Sequence, residues 1–230
     1  MNRSMTNMLR FILDELLPPI IRDNKFIMKP LFWIWYKGKN VDKLMEFKSQ
    51  IHKMSHEEFA EYYRIYDSLP ERETDLTESS IKWIMNEVKD HKDASLIDIG
   101  CGNGYLLKRF EKEGFSNLTG IDIHPPEKDG NIHYVSGNVE ELPFEDNSFD
   151  IVTCNHMIEH VLRPEKTISE IKRIAKKKVI ITLPKQRYYR YTFELHINFY
   201  PQESYALRLV DHPDAQCEEI GGDWSIKIDL

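Results

Sequence analysis

The sequence predicts an α/β protein, with a mostly parallel seven-stranded sheet ending in an antiparallel hairpin and preceded by a helical N-terminal cap. Three observations carry this expectation. From residue 96 onward, short apolar runs of strand length alternate with segments whose apolar residues recur at helical spacing, the pattern of strand–helix–strand units in a parallel sheet. Near the end, Gly221-Gly222-Asp223 separates residues 216–220 from 224–230, which reads as a tight turn between two antiparallel strands. Before residue 90 the visible periodicities are helical. Residues 1–90 are therefore expected to form a helical cap and substrate region, and residues 91–230 the sheet domain.

In order, Leu9, Ile12, Leu13, Leu16 and Leu17 share one face of a helix over 8–17 that Pro18 and Pro19 end. A second helical segment runs through 26–36 (FIMKPLFWIWY), with Gly38 as its stop. Residues 41–54 are amphipathic and charged. Ser55 with Glu58 has the form of a capping box, opening a helix that carries Phe59, Tyr62, Tyr63 and Tyr66 and closes at Pro70. Another helix starts after Thr77 and carries Ile81, Trp83, Ile84 and Val88. Strands are expected at 96–99, 118–123, 132–135, 149–154 and 179–183, and helices at 105–113 and 165–175.

The chain has 230 residues, 41% of them hydrophobic, enough for one sizeable core with an appendage. Its net charge of −7 argues against broad binding to DNA or RNA, which needs a surplus of Lys and Arg against phosphate. Cys101, Cys154 and Cys217 are scattered and form no CxxC, so buried free thiols, a reducing compartment and a cytoplasmic location are expected. Asp14 and Glu15 interrupt the first apolar run and no small-residue cleavage site follows, so no signal peptide is expected. The most apolar stretch, 26–36, is about half the ~20 residues that a spanning helix requires. Its rings Phe32, Trp33, Trp35 and Tyr36 stand between Lys29 and Lys37. That composition suits first of all packing on the core or a partner, with a peripheral contact of residues 26–37 with lipid headgroups as the alternative.

Chemistry concentrates in SLIDIGCGNG, residues 95–104. Leu96, Ile97 and Ile99 form a strand-like run around Asp98, which then breaks into Gly100, Gly102 and Gly104 before the helical pattern of Tyr105, Leu106, Leu107 and Phe110. A glycine loop between strand and helix lets a ligand approach the main chain and meet unpaired helix N–H groups, which suits a nucleotide-like ligand. About 20 positions further, at the end of the next strand, Asp122 stands where a ribose hydroxyl pair needs a carboxylate. A dinucleotide GxGxxG loop would need glycine where this chain has Tyr105, so a nicotinamide enzyme fits poorly.

These residues, with GNVEELPFEDNSFDIVTCNHMIEHV over 137–161, resemble the class I S-adenosylmethionine-dependent methyltransferases, particularly the small-molecule branch that includes the quinone methyltransferases. The resemblance runs from about residue 95 to 183, and Asp98-Ile-Gly100-Cys-Gly102-Asn-Gly104 matches the DxGxGxG loop throughout. It implies a Rossmann-like fold, S-adenosyl-L-methionine as cofactor and S-adenosyl-L-homocysteine as product. On the same grounds Gly100, Cys101 and Gly102 would line the methionine portion, with Asp98 helping to fix its amino end. Asp122, with Ile123 beside it, would hold the ribose. Asn138 with the Val139 N–H would read the adenine, and Asn155 would face the methyl end. Many members carry Asp where this chain has Asn138, which still offers an acceptor to the adenine amino group.

The acceptor implied is a small molecule, a sugar or a lipid-linked compound, with O-methylation favoured. For a hydroxyl acceptor, His156 and His196 are the candidate bases. His156-Met-Ile-Glu159-His160 also spells HxxEH, a zinc pattern when helical, but it follows a strand directly and no metal is expected. DNA-base and glutamine methyltransferases typically carry Asn or Asp, Pro-Pro and an aromatic after the fourth strand, where this chain has Asn155-His156-Met157-Ile158. Residues 185–200, rich in Tyr, Phe and basic side chains, and Tyr62, Tyr63, Tyr66 and Arg72 in the cap are further substrate candidates. The alternative function is a methyltransferase-fold protein that binds the cofactor or a partner without turnover.

Overall fold

The computed structural model describes residue 8 and residues 11–67, 73–128 and 130–230, with backbone alone at 14, 15, 52, 56, 60 and 64–67. Two compact units are present, Met1–Arg72 with Gln186–Phe199, and Glu73–Lys185 with Tyr200–Leu230.

The first unit is helical. A π-helical turn, Ile12–Leu16, is followed by α1 (Pro19–Arg22), α2 (Lys25–Trp35), α3 (Val41–Gln50) and α4 (His56–Asp67). Asn24 caps α2, accepting from Phe26 N at 2.9 Å and Ile27 N at 3.4 Å. The capping box opens α4 as read from sequence, with Glu58 Oε2 accepting from Ser55 N at 2.8 Å and Ser55 Oγ from Glu58 N at 3.2 Å. Met28, Phe32 and Tyr36 form the buried face of α2. The ring of Phe193 lies 4.7 Å from Phe32 and 4.9 Å from Trp35, which ties the 186–199 segment into this unit.

The second unit begins with α5 (Glu78–Val88), capped by Thr77. It continues with β1 (Leu96–Ile99), α6 (Tyr105–Lys112), β2 (Leu118–Asp122), β3 (His133–Ser136), β4 (Phe149–Asn155), α7 (Pro164–Ile174), β5 (Ala175–Pro184), α8 (Glu203–Val210), β6 (Gln216–Ile220) and β7 (Asp223–Asp229). The seven strands order as β3-β2-β1-β4-β5-β7-β6. The first five are parallel, and β7 runs antiparallel to both β5 and β6. Both sheet faces are covered. Ile97, Val152 and Ile181 pack with Ile168 and Ile171 of α7, while Leu96, Ile151 and Ile180 pack with Ile81 and Ile84 of α5 and Leu107 and Phe110 of α6, as strand alternation requires.

Two boundaries differ from those read in the sequence. The division expected at residue 90 falls at 72, because Ile81, Ile84 and Val88 share one core with Leu96 and Phe110. Strand β5 starts at Ala175 rather than 179, and its charged opening is held by carboxylates, Lys177 on Asp150 at 2.8 Å and Lys178 on Asp229 at 2.8 Å. Chain order places β2 and β3 on one side of β1 and β4 and β5 on the other. Such a reversal opens a crevice at the carboxyl ends of β1 and β4, where open α/β sheets bind ligands.

Candidate active site

The glycine loop lies at that crevice and is tied to β2. Gly100 N and Cys101 N donate to Ile121 O at 2.8 and 3.1 Å. Gly102 N donates to Asp122 Oδ2 at 2.9 Å, and His124 N to Asp122 Oδ1 at 3.0 Å. Each Asp122 oxygen thus orders one backbone amide and keeps further lone-pair capacity. Gly102 has φ +51° with nothing within 4 Å of where a Cβ would stand, so its face of the loop is open. At Gly100 a Cβ would come within 2.3 Å of Met157 Cγ, so Met157 lies directly on the bare backbone. Cys101 is buried, and burial pushes its thiol well above the usual range. Ile123 is 40% exposed at the rim.

Asp98 is buried in the middle of this arrangement. Its Oδ1 accepts from Thr153 Oγ1 at 2.6 Å and from Asn155 Nδ2 at 3.3 Å. Burial pushes its carboxyl up to about 7; the Thr153 and Asn155 bonds oppose the rise and the negative charge of Asp122 adds to it. Asn155 Oδ1 is buried with no hydrogen-bond partner among the described residues. Two carboxylates, neutral donors and an unsatisfied amide oxygen make a site short of positive charge and of donors. The residues therefore fit a cationic ligand with donor groups, as the sulfonium and α-ammonium of S-adenosylmethionine are.

On the β3 side, Asn138 is exposed and its Oδ1 accepts from Glu140 N at 2.9 Å, while Val139 is buried. Glu140, which sequence reading passed over, fixes this loop to the start of α7 by accepting from Arg163 N at 3.0 Å and Arg163 Nε at 2.7 Å. It is 3% exposed, and an acidic residue buried on a charged partner leaves no mark in hydrophobic periodicity.

His156 has left-handed backbone, φ +50°, and the chain turns from β4 into a 3-10 turn at Ile158–His160. The HxxEH segment is thus not an α-helix. The His156 ring lies between two fully buried carboxylates, Nδ1 at 3.3 Å from Glu159 Oε1 and Nε2 at 3.2 Å from Asp223 Oδ2. Asp223 comes from the far end of the sequence, and no local spacing announced it. His196 belongs to the helical unit, where its buried ring has Nδ1 2.6 Å from Gln186 Oε1 and Nε2 3.4 Å from Glu194 Oε2.

The structure thus brings Asp98, Gly100, Cys101, Gly102, Asp122 and Asn155 together at the ends of β1, β2 and β4. Of the other substrate candidates, Tyr62 packs 5.0 Å from Phe47 and Tyr63 Oη donates to Leu195 O at 3.2 Å, both within the helical unit. Arg72 and the side chain of Tyr66 lie outside the described residues. Tyr189, Tyr191 and Phe193 are buried, while Tyr188 is exposed.

Residues 97–183 match the family pattern described as "Methyltransferase domain". Among curated proteins, the ubiquinone biosynthesis O-methyltransferase of Erwinia tasmaniensis is 31% identical over 107 residues, 42% of this chain and 44% of that protein. The namesake from Coxiella burnetii (strain Dugway 5J108-111) is 29% identical over 150 residues, 57% of this chain and 64% of that one. This chain thus spans about half, or up to 64%, of the relatives it matches. Among solved structures, the Burkholderia thailandensis 1,6-didemethyltoxoflavin-N1-methyltransferase, with bound S-adenosylhomocysteine, aligns with TM-score 0.57 at 15% identity, covering 74% of this chain and 86% of that one. The PH0226 protein from Pyrococcus horikoshii OT3 aligns with TM-score 0.54 at 20% identity, covering 74% and 97%. Both likenesses concern the fold. With the sheet order and the strand-end loop, the sheet unit has the fold of these two structures, and residues 97–183 within it are similar to the methyltransferase domain family.

Proposed function

We propose that the chain transfers the methyl group of S-adenosylmethionine to an oxygen of a small-molecule acceptor. The observation that supports this most is the charge imbalance at the strand ends, where Asp98 is buried near Asp122 with only neutral donors and Asn155 Oδ1 is unsatisfied. When bound, S-adenosylmethionine supplies an electrophilic methyl on a positively charged sulfur. The chain's own residues then bind and orient. Asp122 offers its remaining lone pairs to the ribose, and Gly100, Cys101 and Gly102 present bare backbone to the methionine portion. Asn138 and the Val139 N–H face the adenine. Asp98 balances the positive charge, and Asn155, fixed by Asp98, stands toward the methyl end.

His156 and His196 have both ring nitrogens beside neighbouring groups, so the reading gives them positioning roles. Catalysis then consists of holding the acceptor oxygen behind the methyl at near-attack distance, so that the O–CH3 bond forms as the S–CH3 bond breaks and the hydroxyl proton passes to solvent water. The relatives' name favours transfer to an oxygen atom. The test is incubation of the full chain with methyl-labelled cofactor and separate panels of hydroxylated aromatics, sugars and lipid-linked compounds. Label on a hydroxyl of a small molecule supports the reading. Tight S-adenosylhomocysteine binding without transfer to any panel would favour a cofactor-binding protein without turnover.

A further inference from the structure

Among the described residues, thirteen large hydrophobics are exposed, and nine of them fall between Met8 and Ile34. The centre of this surface is the outward side of α2. Its inward side, Met28, Phe32 and Tyr36, is fully used by the core of the helical unit, yet Phe26 is 89%, Ile34 69% and Trp33 61% exposed, with Ile27 and Leu31 between them. Ile20 on α1, 81% exposed, extends the surface. A soluble monomer rarely leaves so much contiguous apolar surface unpartnered. Residues 25–35 lie outside the 97–183 span of the methyltransferase pattern, so the cofactor site does not account for them.

Charge indicates what covers this face. The chain as a whole carries −7, but residues 17–41 hold Arg22, Lys25, Lys29, Lys37 and Lys39 against Asp23 alone. Helix α2 has no acidic residue. Lys25 and Lys29 are held beside the apolar face by Glu46 and Asp42 at 2.9 and 2.8 Å, and Lys37, Gly38 and Lys39 continue the basic rim past its end. The Trp33 indole nitrogen lies 3.0 Å from where a Gly38 Cβ would stand, so the ring folds over the helix end with its polar edge toward that rim. An aromatic-apolar face bounded by lysines and a peripheral indole suits a bilayer with anionic headgroups. It suits a protein partner less, since lysine is depleted in protein interfaces. No helix among the described residues is long and apolar enough to cross a membrane, so the contact is in the plane of the surface.

We propose that α1 and the outward face of α2 dock the protein on an anionic phospholipid surface, with Phe26, Trp33 and Ile34 entering the headgroup–acyl boundary and Lys37 and Lys39 on the phosphates. This inference is independent of the methyl-transfer reading. The test is co-sedimentation of the full chain with phosphatidylcholine vesicles, with and without phosphatidylserine, at low and high salt. The expected result is binding to the phosphatidylserine vesicles that weakens with salt. Phe26→Asp should cut it at least ~tenfold, and Lys37→Glu with Lys39→Glu should abolish the preference for phosphatidylserine. These side chains are exposed, so circular dichroism and melting temperature should stay unchanged and show that the variants are folded. No binding to either vesicle, or equal binding by wild type and Phe26→Asp, overturns the proposal. So does a dimer in light scattering that Phe26→Asp dissociates, which would assign the face to a second copy.

Discussion

Asn in place of Asp98 separates what the buried carboxyl does for binding from what it costs the fold. Asp98 is 5% exposed, and burial lifts its carboxyl from an ordinary 3.8 to about 7. Below the ordinary value both folded and unfolded chains hold the proton. Between the two values only the folded chain holds it, so stability falls as pH rises, and above about 7 the loss is complete. At ~1.4 kcal/mol per tenfold change, the full rise corresponds to at most ~4 kcal/mol. Asp98→Asn keeps an oxygen for Thr153 and removes the titration. The variant should therefore be more stable than wild type at about pH 8 and lose most of that advantage at about pH 4. Cofactor affinity should move the opposite way. A cationic ligand prefers ionised Asp98, so wild-type affinity should rise between about pH 5 and pH 7, and Asp98→Asn should bind weakly with a flat profile. Urea unfolding across this range, with calorimetric titration of S-adenosylmethionine, measures both. Equal pH dependence of stability in the two proteins, or unchanged affinity in the variant, would refute the reasoning.

Three further outcomes follow from the same geometry. Gly102→Ala places a methyl in open space at φ +51°, so it should cost only ~1–2 kcal/mol of stability yet lower S-adenosylhomocysteine affinity at least ~tenfold; unchanged affinity in calorimetry would remove this face of the loop from the site. His156→Asn keeps a residue type tolerant of left-handed backbone but strips Glu159 and Asp223 of their shared imidazole; a stability loss of ~1–3 kcal/mol is expected from buried polar groups losing a partner, with turnover of the folded fraction nearly retained, whereas lost turnover in a stable protein would make His156 the base. Asp150 is held down to about 2, first by Lys177 and then by Ser95, so its contribution is present above 3.8 and lost as pH falls through about 2; acid unfolding of Asp150→Asn should accordingly lack that component.

Much of the sheet unit was legible because its physics is local. The run 96–99, the alternate glycines and the start of α6 are strand, loop and helix signals within one short stretch, and Asp122 is found by its distance from them. The Gly221-Gly222 turn and the Ser55–Glu58 box likewise carry their geometry in adjacent residues. What sequence reading missed depends on distant partners. The opening of β5 reads as a charged run, and its place in the sheet comes from pairing with the distant β4 and β7, with Asp150 and Asp229 holding Lys177 and Lys178. The surroundings of the His156 ring were equally hidden, because Asp223 reaches it from β7. The 186–199 segment follows β5 in sequence but packs with the helical unit through Phe193 on Phe32 and Trp35.

The claim that the strand-end crevice is an S-adenosylmethionine site is tested most directly by calorimetric titration of the full chain and of Asp122→Ala with S-adenosylhomocysteine and, separately, NAD. The account predicts saturable binding of S-adenosylhomocysteine to the wild type, at least ~tenfold weaker binding to Asp122→Ala as the loss of charged hydrogen bonds implies, and no heat from NAD. Binding of NAD without S-adenosylhomocysteine, or binding that Asp122→Ala leaves untouched, would contradict it.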